Sequence, residues 1–111
     1  MNNYSFNKSK KFFEKASKLI PMASQTYSKS YVNFDLNKSP MFLDRGNGSY
    51  VWDIDNNKYL DYIMALLPNI LGYNDKEINN SINRQLKKGI SFSLATTLEY
   101  ELAKLLSLIH I

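Results

Sequence analysis

Residues 45–62 read RGNGSYVWDIDNNKYLDY, and this stretch decides the fold. Two runs with strand-forming residues, 49–52 and 58–63, are separated by the acidic and amide residues of 53–57. Asn and Asp tolerate the positive φ that tight turns require, so the pattern predicts an antiparallel β-hairpin. The glycine-containing residues 45–48 in front of it are expected to be flexible backbone.

The hairpin side chains are expected to have structural roles. Trp52, Tyr59 and Tyr62 are predicted to form a packing cluster, because aromatic cross-strand pairs stabilise hairpins. Asp53 and Asp55 are predicted to be turn residues that accept hydrogen bonds from backbone N–H groups. A catalytic acid–base pair is the alternative that this interpretation sets aside.

An N-terminal helix is predicted over residues 5–20. Its apolar residues recur at spacings of three and four and form one face: Phe12, Phe13, Ala16, Leu19 and Ile20. Pro21 ends the helix, because the residue before a proline is pushed out of the α region. Residues 22–39 are rich in Ser, Asn and Thr without a sustained period, which predicts a long, ordered, irregular segment of the kind that is often functional.

Two further helices are predicted in the C-terminal half. The first starts at Asn74, where Glu77 completes the form of a capping box, and Gly89 is its C-cap. The second starts near Thr96, with Glu99 again three residues on. The first helix is expected to bury a face that consists of Ile78, Ile82 and Leu86, and the second is expected to have an apolar face that consists of Leu98, Leu102, Leu105 and Leu106. With the hairpin, these elements make an α+β chain.

Composition excludes several classes of protein. The 111 residues are 44% hydrophobic and 22% charged, which is typical of one small globular domain. No cysteine is present, and the single histidine, His110, cannot build a metal site alone. The net charge of +4 is spread along the chain, which argues against nucleic-acid binding. No apolar run is long enough to span a membrane, and we expect a cytoplasmic protein.

The end of the chain is unusual. An apolar pattern continues to the last residue without a glycine or a cap, so the sequence is expected to stop within a helix. Residues 106–111, LSLIHI, also resemble a translated sequencing adapter. We therefore expect residues 1–106 to be one native segment and residues 107–111 to be a non-native or truncated tail.

Four blocks of sequence carry a family resemblance. The first is 45–62, with a Gly-x-Gly, an aromatic residue, Trp-Asp-x-Asp and Tyr-Leu-Asp. The others are Ala16 with Ile20-Pro21, then Pro68-Asn69-Ile70-Leu71-Gly72, then Gly89-Ile90-Ser91-Phe92-Ser93 with Thr96, Glu99 and Leu102-Ala103. In this order and spacing, over residues 10–106, they resemble the opening of class III pyridoxal-phosphate (PLP)-dependent aminotransferases of the glutamate-1-semialdehyde aminomutase type.

The resemblance implies a fold type I enzyme that transfers an amino group through a lysine-bound PLP and acts as a homodimer on small amino donors and acceptors. In this family the Schiff-base lysine, the acid beside the pyridine nitrogen and the phosphate site come from later parts of the chain. The resemblance therefore implies no catalytic, cofactor-binding or metal-binding residue here. The chain is expected to bind no PLP and to be inactive alone.

At five positions the residue of this chain differs from the residue that the family pattern has there. Lys29 stands where the family has an arginine that grips the substrate carboxylate, and Thr26 aligns with a serine near the substrate. Leu66 aligns with an active-site tryptophan, Asn56 replaces the turn glycine, and Tyr73 replaces a histidine. Lys29 and Thr26 are thus the candidate substrate-binding residues. A lysine is a point charge and not a bidentate fork, which favours a substrate other than glutamate semialdehyde.

Two other functions remain open on the sequence. A free-standing binding module that retained the hairpin would fold cooperatively by itself. A basic nucleic-acid-binding protein would show affinity that falls steeply with salt. The residues do not distinguish a transaminase from a mutase, and they do not identify the amino donor or acceptor.

Overall fold

The computed structural model describes residues 4–109 and confirms the α+β class. The chain divides into two compact units, and the boundary in the sequence lies between residues 75 and 76. The first contains helix α1 (Asn7–Leu19), three short 3₁₀ turns (Pro21–Ala23, Tyr27–Lys29, Tyr31–Asn33) and strands β1 (Leu43–Asn47), β2 (Tyr50–Asp53) and β3 (Lys58–Leu60). The second contains helices α2 (Lys76–Leu86) and α3 (Thr97–Ile109).

The sheet is antiparallel with β2 in the centre. Val51 lies opposite Gly46 of β1 on one side and opposite Tyr59 of β3 on the other. The predicted hairpin is therefore confirmed, but the expectation of flexible backbone over residues 45–48 was wrong for most of that stretch. Pairing with β2 supplies the hydrogen bonds that make β1 a strand, despite residues with low strand propensity.

The predicted aromatic cluster was wrong. Trp52 is not the cross-strand partner of Tyr59, and successive strand residues point to opposite faces, so the two rings lie on different sides of the sheet. Arg45 lies over the Trp52 ring, with its guanidinium carbon 5.0 Å from the ring centroid. Tyr59 packs against Tyr4 with centroids 5.2 Å apart, and Tyr62 is 86% exposed.

The turn between β2 and β3 is built around a buried carboxylate. Asp53 has no exposed surface and accepts hydrogen bonds from the backbone N–H and side-chain amide of Asn57, both at 2.8 Å, and from the Tyr59 hydroxyl at 2.8 Å. Asn56 has a φ of 67°, so an amide residue takes the left-handed conformation there. The interpretation of Asp53 as a turn residue is confirmed.

The other carboxylate of this turn, that of Asp55, bonds to residues far away in the sequence. Its carboxylate accepts hydrogen bonds from the backbone N–H groups of Lys8 (2.7 Å) and Ser9 (2.8 Å) and from the Ser9 hydroxyl (2.6 Å). These N–H groups belong to the first turn of α1, where they have no partner within the helix. The side-chain amide of Asn57 also donates to the Ser5 carbonyl at 2.7 Å. The hairpin turn therefore caps the N-terminal helix.

Helix α1 packs through the N-terminal part of the predicted face, since Phe12, Phe13 and Ala16 make contacts and the last two residues of that face do not. Its buried residues are Ser9 and Ala16, whereas Leu19 is 85% exposed. Two ring pairs join α1 to the irregular segment after it: Phe12 with Phe42 at 4.9 Å and Phe13 with Tyr31 at 5.2 Å. The helix spans fewer residues than the predicted 5–20, and Ile20 is extended in front of Pro21, as expected.

The segment 22–39 is ordered and irregular, as predicted. Its 3₁₀ turns are tied together at the Tyr27 carbonyl, which accepts hydrogen bonds from the Ser30 hydroxyl and the Asn33 side chain, both at 2.7 Å. Ser30 is fully buried. The small core of this unit therefore mixes polar and apolar side chains: Phe6, Ala16, Ala23, Val51, Ser9, Ser30 and Asp53.

The second unit confirms one predicted cap. The backbone N–H of Thr96 donates to the Glu99 carboxylate at 3.0 Å in front of α3. Gly89 has a φ of +103°, as a residue that follows a helix end often does. Helix α2 begins two residues later than predicted, because Asn74 is left-handed with a φ of 61°.

The apolar faces of α2 and α3 exist, but the expectation that the α2 face is buried was wrong. Leu102 is 58% exposed, and the other residues of both faces are exposed as well. A helix face is buried only where another element covers it. No helix within residues 4–109 has the length and apolar character needed to cross a membrane. His110 lies outside the described residues.

Replacing Asp55 by alanine should lower the free energy of unfolding by about 1–2 kcal/mol, because three hydrogen bonds at the start of α1 are lost. Urea unfolding followed by the fluorescence of Trp52, the chain's single tryptophan, measures this.

Burial raises the pKa of Asp55, but the hydrogen bonds from Ser9 and Lys8 and the charge of Lys8 outweigh it and leave the pKa below its ordinary value. The contribution is therefore present above pH about 4 and is lost as the pH falls through the folded-state pKa.

Asp44→Ala is the matched control, since Asp44 is exposed and its carboxylate lies 3.3 Å from the guanidinium of the neighbouring Arg45. Its effect should stay within about 0.5 kcal/mol. Equal losses for the two variants would contradict the capping role of Asp55.

Replacing Gly46 by alanine should destabilise the sheet by about 1–3 kcal/mol. The added methyl group would stand 2.5 Å from Cγ of Tyr73, which is closer than van der Waals contact allows. The same substitution in a Tyr73→Ala background should cost much less, because the ring that it meets is absent. Chemical denaturation of the two single variants and the double variant measures this coupling. Additive losses would contradict the steric explanation.

Candidate functional site

A cleft in the first unit combines polar and apolar walls. Its volume is about 520 Å³, and it lies beside the end of β3 and the loop that follows. The lining residues are Gly48, Ser49, Leu60, Asp61, Tyr62, Met64, Leu67, Asn69, Ile70, Leu71 and Gly72. Asp61 is the one carboxylate among these lining residues, and the loop is shaped around it.

Asp61 directs the chain out of the sheet. One carboxylate oxygen accepts hydrogen bonds from the backbone N–H of Ile63 (2.8 Å) and Met64 (3.1 Å). The other accepts a hydrogen bond from the Tyr73 hydroxyl at 2.6 Å. The predicted strand 58–63 ends at Leu60. The Asp61 N–H makes one more bond across the sheet, to the Ser49 carbonyl at 2.9 Å, and the N–H groups of Ile63 and Met64 then bond to the Asp61 side chain and not to a strand.

The loop then makes a full turn in a rare conformation. Met64, Ala65, Leu66 and Leu67 all have positive φ, at 48°, 57°, 68° and 83°. For residues with a Cβ this conformation costs about 1–2 kcal/mol each. The N–H groups of Leu66 and Leu67 both donate to the Ile63 carbonyl, at 3.0 and 3.1 Å, which recovers part of the cost. Backbone held in such a conformation is a frequent feature of functional sites.

Tyr73 closes the loop against the sheet. Its backbone exchanges two hydrogen bonds with Gly48, at 2.8 and 2.9 Å, as an isolated antiparallel bridge. Its ring lies so close to Gly46 that no side chain fits at that position. The ring of Tyr73, which stands where the family pattern has a histidine, fills the space over Gly46.

Asp61 and Tyr73 each have one protonation state near neutral pH. Burial raises the pKa of Asp61, but the hydrogen bonds from Tyr73, Ile63 and Met64 outweigh it and leave the pKa below its ordinary value. The hydrogen bond to Asp61 raises the pKa of Tyr73, and burial and the nearby negative charge add to the rise. Asp61 is therefore a carboxylate and Tyr73 a neutral hydroxyl, which suits positioning better than proton transfer at neutral pH.

The candidate substrate residues lie elsewhere in the same unit. Thr26 and Lys29 bracket the 3₁₀ turn Tyr27–Lys29, where the Lys29 N–H donates to the Thr26 carbonyl at 3.2 Å. Both residues are exposed, and neither lines the cleft. The structure thus brings Thr26 and Lys29 next to each other and keeps them apart from the Asp61 loop. Leu66 belongs to that loop and is 59% exposed.

The described residues do not fit PLP. Every lysine of the chain is exposed, whereas a Schiff-base lysine needs an enclosed site with an acid for the pyridine nitrogen. A phosphate needs free N–H groups at a helix start. Asp55 occupies those of α1, the Glu99 carboxylate faces that of α3, and α2 starts between Asp75 and Glu77. Among residues 4–109, no group of three or more His, Asp or Glu could hold a metal ion.

Sequence reasoning missed the Asp61–Tyr73 pair. A signal was present, since an Asp directly after a strand-forming run often bonds to the N–H groups two and three residues on. No sequence pattern could indicate that Tyr73, twelve residues later, returns to the same carboxylate.

The chain is similar to curated glutamate-1-semialdehyde 2,1-aminomutases. It is 41% identical over 105 residues to aminomutase 1 of Listeria monocytogenes serotype 4b (strain F2365), covering 95% of this chain and 24% of that protein. It is 38% identical over 101 residues to the enzyme of Bacillus subtilis (strain 168), covering 91% and 23%. The chain thus spans about a quarter of the length of the curated relatives it matches.

The chain is also similar to parts of solved structures. A structure described as the PLP internal aldimine form of the Sphingopyxis sp. MTA144 FumI protein matches with a TM-score of 0.80 and 28% identity, over 88% of this chain and 23% of that one. An omega-transaminase from Sphaerobacter thermophilus matches with a TM-score of 0.78 and 28% identity, over 88% and 21%. The fold of this chain is therefore that of one part of a transaminase.

The family model described as aminotransferase class-III matches residues 31–109, which include the whole sheet, the Asp61 loop and both C-terminal helices. With the sequence relatives and the structural matches, this shows that the chain belongs to the class III aminotransferase family.

Proposed function

We propose that this chain is the N-terminal part of a PLP-dependent aminotransferase or aminomutase that acts on small amino donors and acceptors. The observation that carries the proposal is the family match over residues 31–109 together with about 40% identity to curated aminomutases over nearly the whole chain. The matched share of those relatives, about a quarter, supports a role as one segment of a longer enzyme.

In this proposal the chain contributes walls and contacts, and the chemistry comes from the rest of the enzyme. PLP supplies the electron sink for amino-group transfer when it is bound, and the lysine and phosphate site that hold it lie outside residues 4–109. The exposed faces of α2 and α3 are then surfaces for the remaining segments. We extend the proposal to a cytoplasmic homodimer, and to residues 1–106 as the native segment with 107–111 as a tail.

Lys29 and Thr26 are proposed as substrate contacts. The turn that separates them leaves both side chains exposed on one short segment, so an anionic group could bind the Lys29 ammonium and the Thr26 hydroxyl together. The Thr26 hydroxyl lies 3.3 Å from the Ser28 hydroxyl, which adds a second polar group to the turn. An ammonium group attracts a carboxylate or a phosphate without selecting its orientation.

Sequencing the locus through and beyond the codon for Ile111 tests the proposal directly. We expect the reading frame to continue for some three times the length of this chain, in proportion to the quarter of the relatives that the chain covers, and to encode a Schiff-base lysine. A genuine stop codon after Ile111 overturns the proposal. The family membership would then record ancestry, and a free-standing binding module would become the favoured function.

In the whole enzyme, Lys29→Met should raise the KM for the substrate that carries the anionic group by about tenfold or more. The reason is the loss of a charge-assisted hydrogen bond, and kcat should change less. Steady-state kinetics with PLP present measures both constants. Lys38→Met is the matched control, because Lys38 is exposed in the same irregular segment and its ammonium lies 3.9 Å from the Asp35 carboxylate. An unchanged KM for Lys29→Met would remove this residue from the site.

A further inference from the structure

We propose that Tyr73 is a positioning residue whose hydroxyl holds residues 64–67 in their left-handed conformation and thereby sets the shape of the Asp61 cleft. The claim that a substrate uses this cleft rests on the proposed function. The claim that the hydroxyl holds the loop rests on this structure alone, and the experiment below tests it separately.

The hydroxyl of Tyr73 bonds to the residue at which the loop begins. It donates to the Asp61 carboxylate at 2.6 Å, where the chain leaves the sheet. Because Tyr73 lies twelve residues further along the chain, this bond connects the start of the loop to a residue beyond its end.

Asp61 extends this connection to the residues between. Its second oxygen binds the N–H groups of Ile63 and Met64, so the backbone donors that enter the turn are already satisfied. The left-handed residues themselves gain only weak local compensation, because Leu66 and Leu67 share one acceptor, the Ile63 carbonyl. A conformation that is unfavourable for every residue in it persists only where its surroundings hold it.

The ring of Tyr73 is fixed independently of its hydroxyl. The backbone of Tyr73 is bonded to Gly48 in both directions, and the ring rests against Gly46 in the sheet. A phenylalanine at this position keeps the bridge and the ring contact and loses only the oxygen. The effect of the hydroxyl can therefore be separated from the effect of the packing.

The test compares amide hydrogen exchange in the full 111-residue chain and its Tyr73→Phe variant. We expect the amides of Ile63 and Met64 to exchange about tenfold faster or more in the variant, since the Asp61 carboxylate that accepts from both loses its hydrogen bond from the Tyr73 hydroxyl. The amide of Val51 in the central strand should keep its rate. The Cα and Cβ chemical shifts of residues 64–67 report the sign of φ, and we expect them to move towards ordinary values.

Tyr59→Phe is the matched control. It also removes a tyrosine hydroxyl bonded to a buried aspartate, Asp53, but that bond lies in the hairpin turn and not in the loop. We expect it to leave the exchange rates and chemical shifts of residues 63–67 unchanged. If Tyr73→Phe accelerates amide exchange in the loop and at Val51 by the same factor, the variant has lost stability in general, and the positioning role is overturned.

Two further outcomes also overturn the proposal. Unchanged exchange and chemical shifts at residues 63–67 in Tyr73→Phe would show that the turn holds without the hydroxyl. Unprotected loop amides in the unsubstituted chain would show that the hydroxyl does not hold the loop in solution. None of these results depends on transaminase activity, so a failure of the proposed function leaves the test of Tyr73 intact.

Discussion

The carboxylates of the 53–57 turn hold the first unit together. Asp53 is completely buried, and its partners Asn57 and Tyr59 fix the turn that joins β2 to β3. Asp55, two residues on, reaches the first turn of α1 and satisfies N–H groups that a helix cannot pair by itself. One short turn therefore determines both the strand register and the position of the N-terminal helix. With so few buried apolar side chains in this unit, these polar contacts carry a large share of its order.

Local sequence signals predicted the helices and turns of this fold well, but they did not predict which other parts of the chain those elements contact. The Thr96–Glu99 cap and the turn at Asn56 depend on neighbouring residues only, and both were predicted from the sequence. Strand β1 was missed because its glycine and asparagine have low strand propensity and its order comes from pairing with β2. The cap from Asp55 was missed because it joins residues 46 positions apart. The faces of α2 and α3 were recognised, but whether a face is buried depends on what covers it, and no pattern within the face contains that information.

The candidate site was less predictable than the fold. Thr26 and Lys29 came from the family resemblance alone, and their exposure on one turn is compatible with binding without identifying a ligand. The Asp61 loop had no counterpart in the sequence reasoning. A run of four left-handed residues contains no glycine, so propensity argues against it at every position. It exists because Asp61 and Tyr73 meet across twelve residues, which is a tertiary contact.

The cap between Asp55 and α1 also fixes an order of events on the ribosome. Chains emerge from the N-terminus at about 5–20 residues per second, so the partners of this cap are available seconds after synthesis begins. The sheet and α1 can close as soon as the 53–57 turn is made. The helices that follow emerge with exposed leucine and isoleucine faces. In the longer enzyme proposed above, those faces would stay uncovered until later segments are made, and exposed apolar surface of this kind makes a nascent chain prone to aggregation.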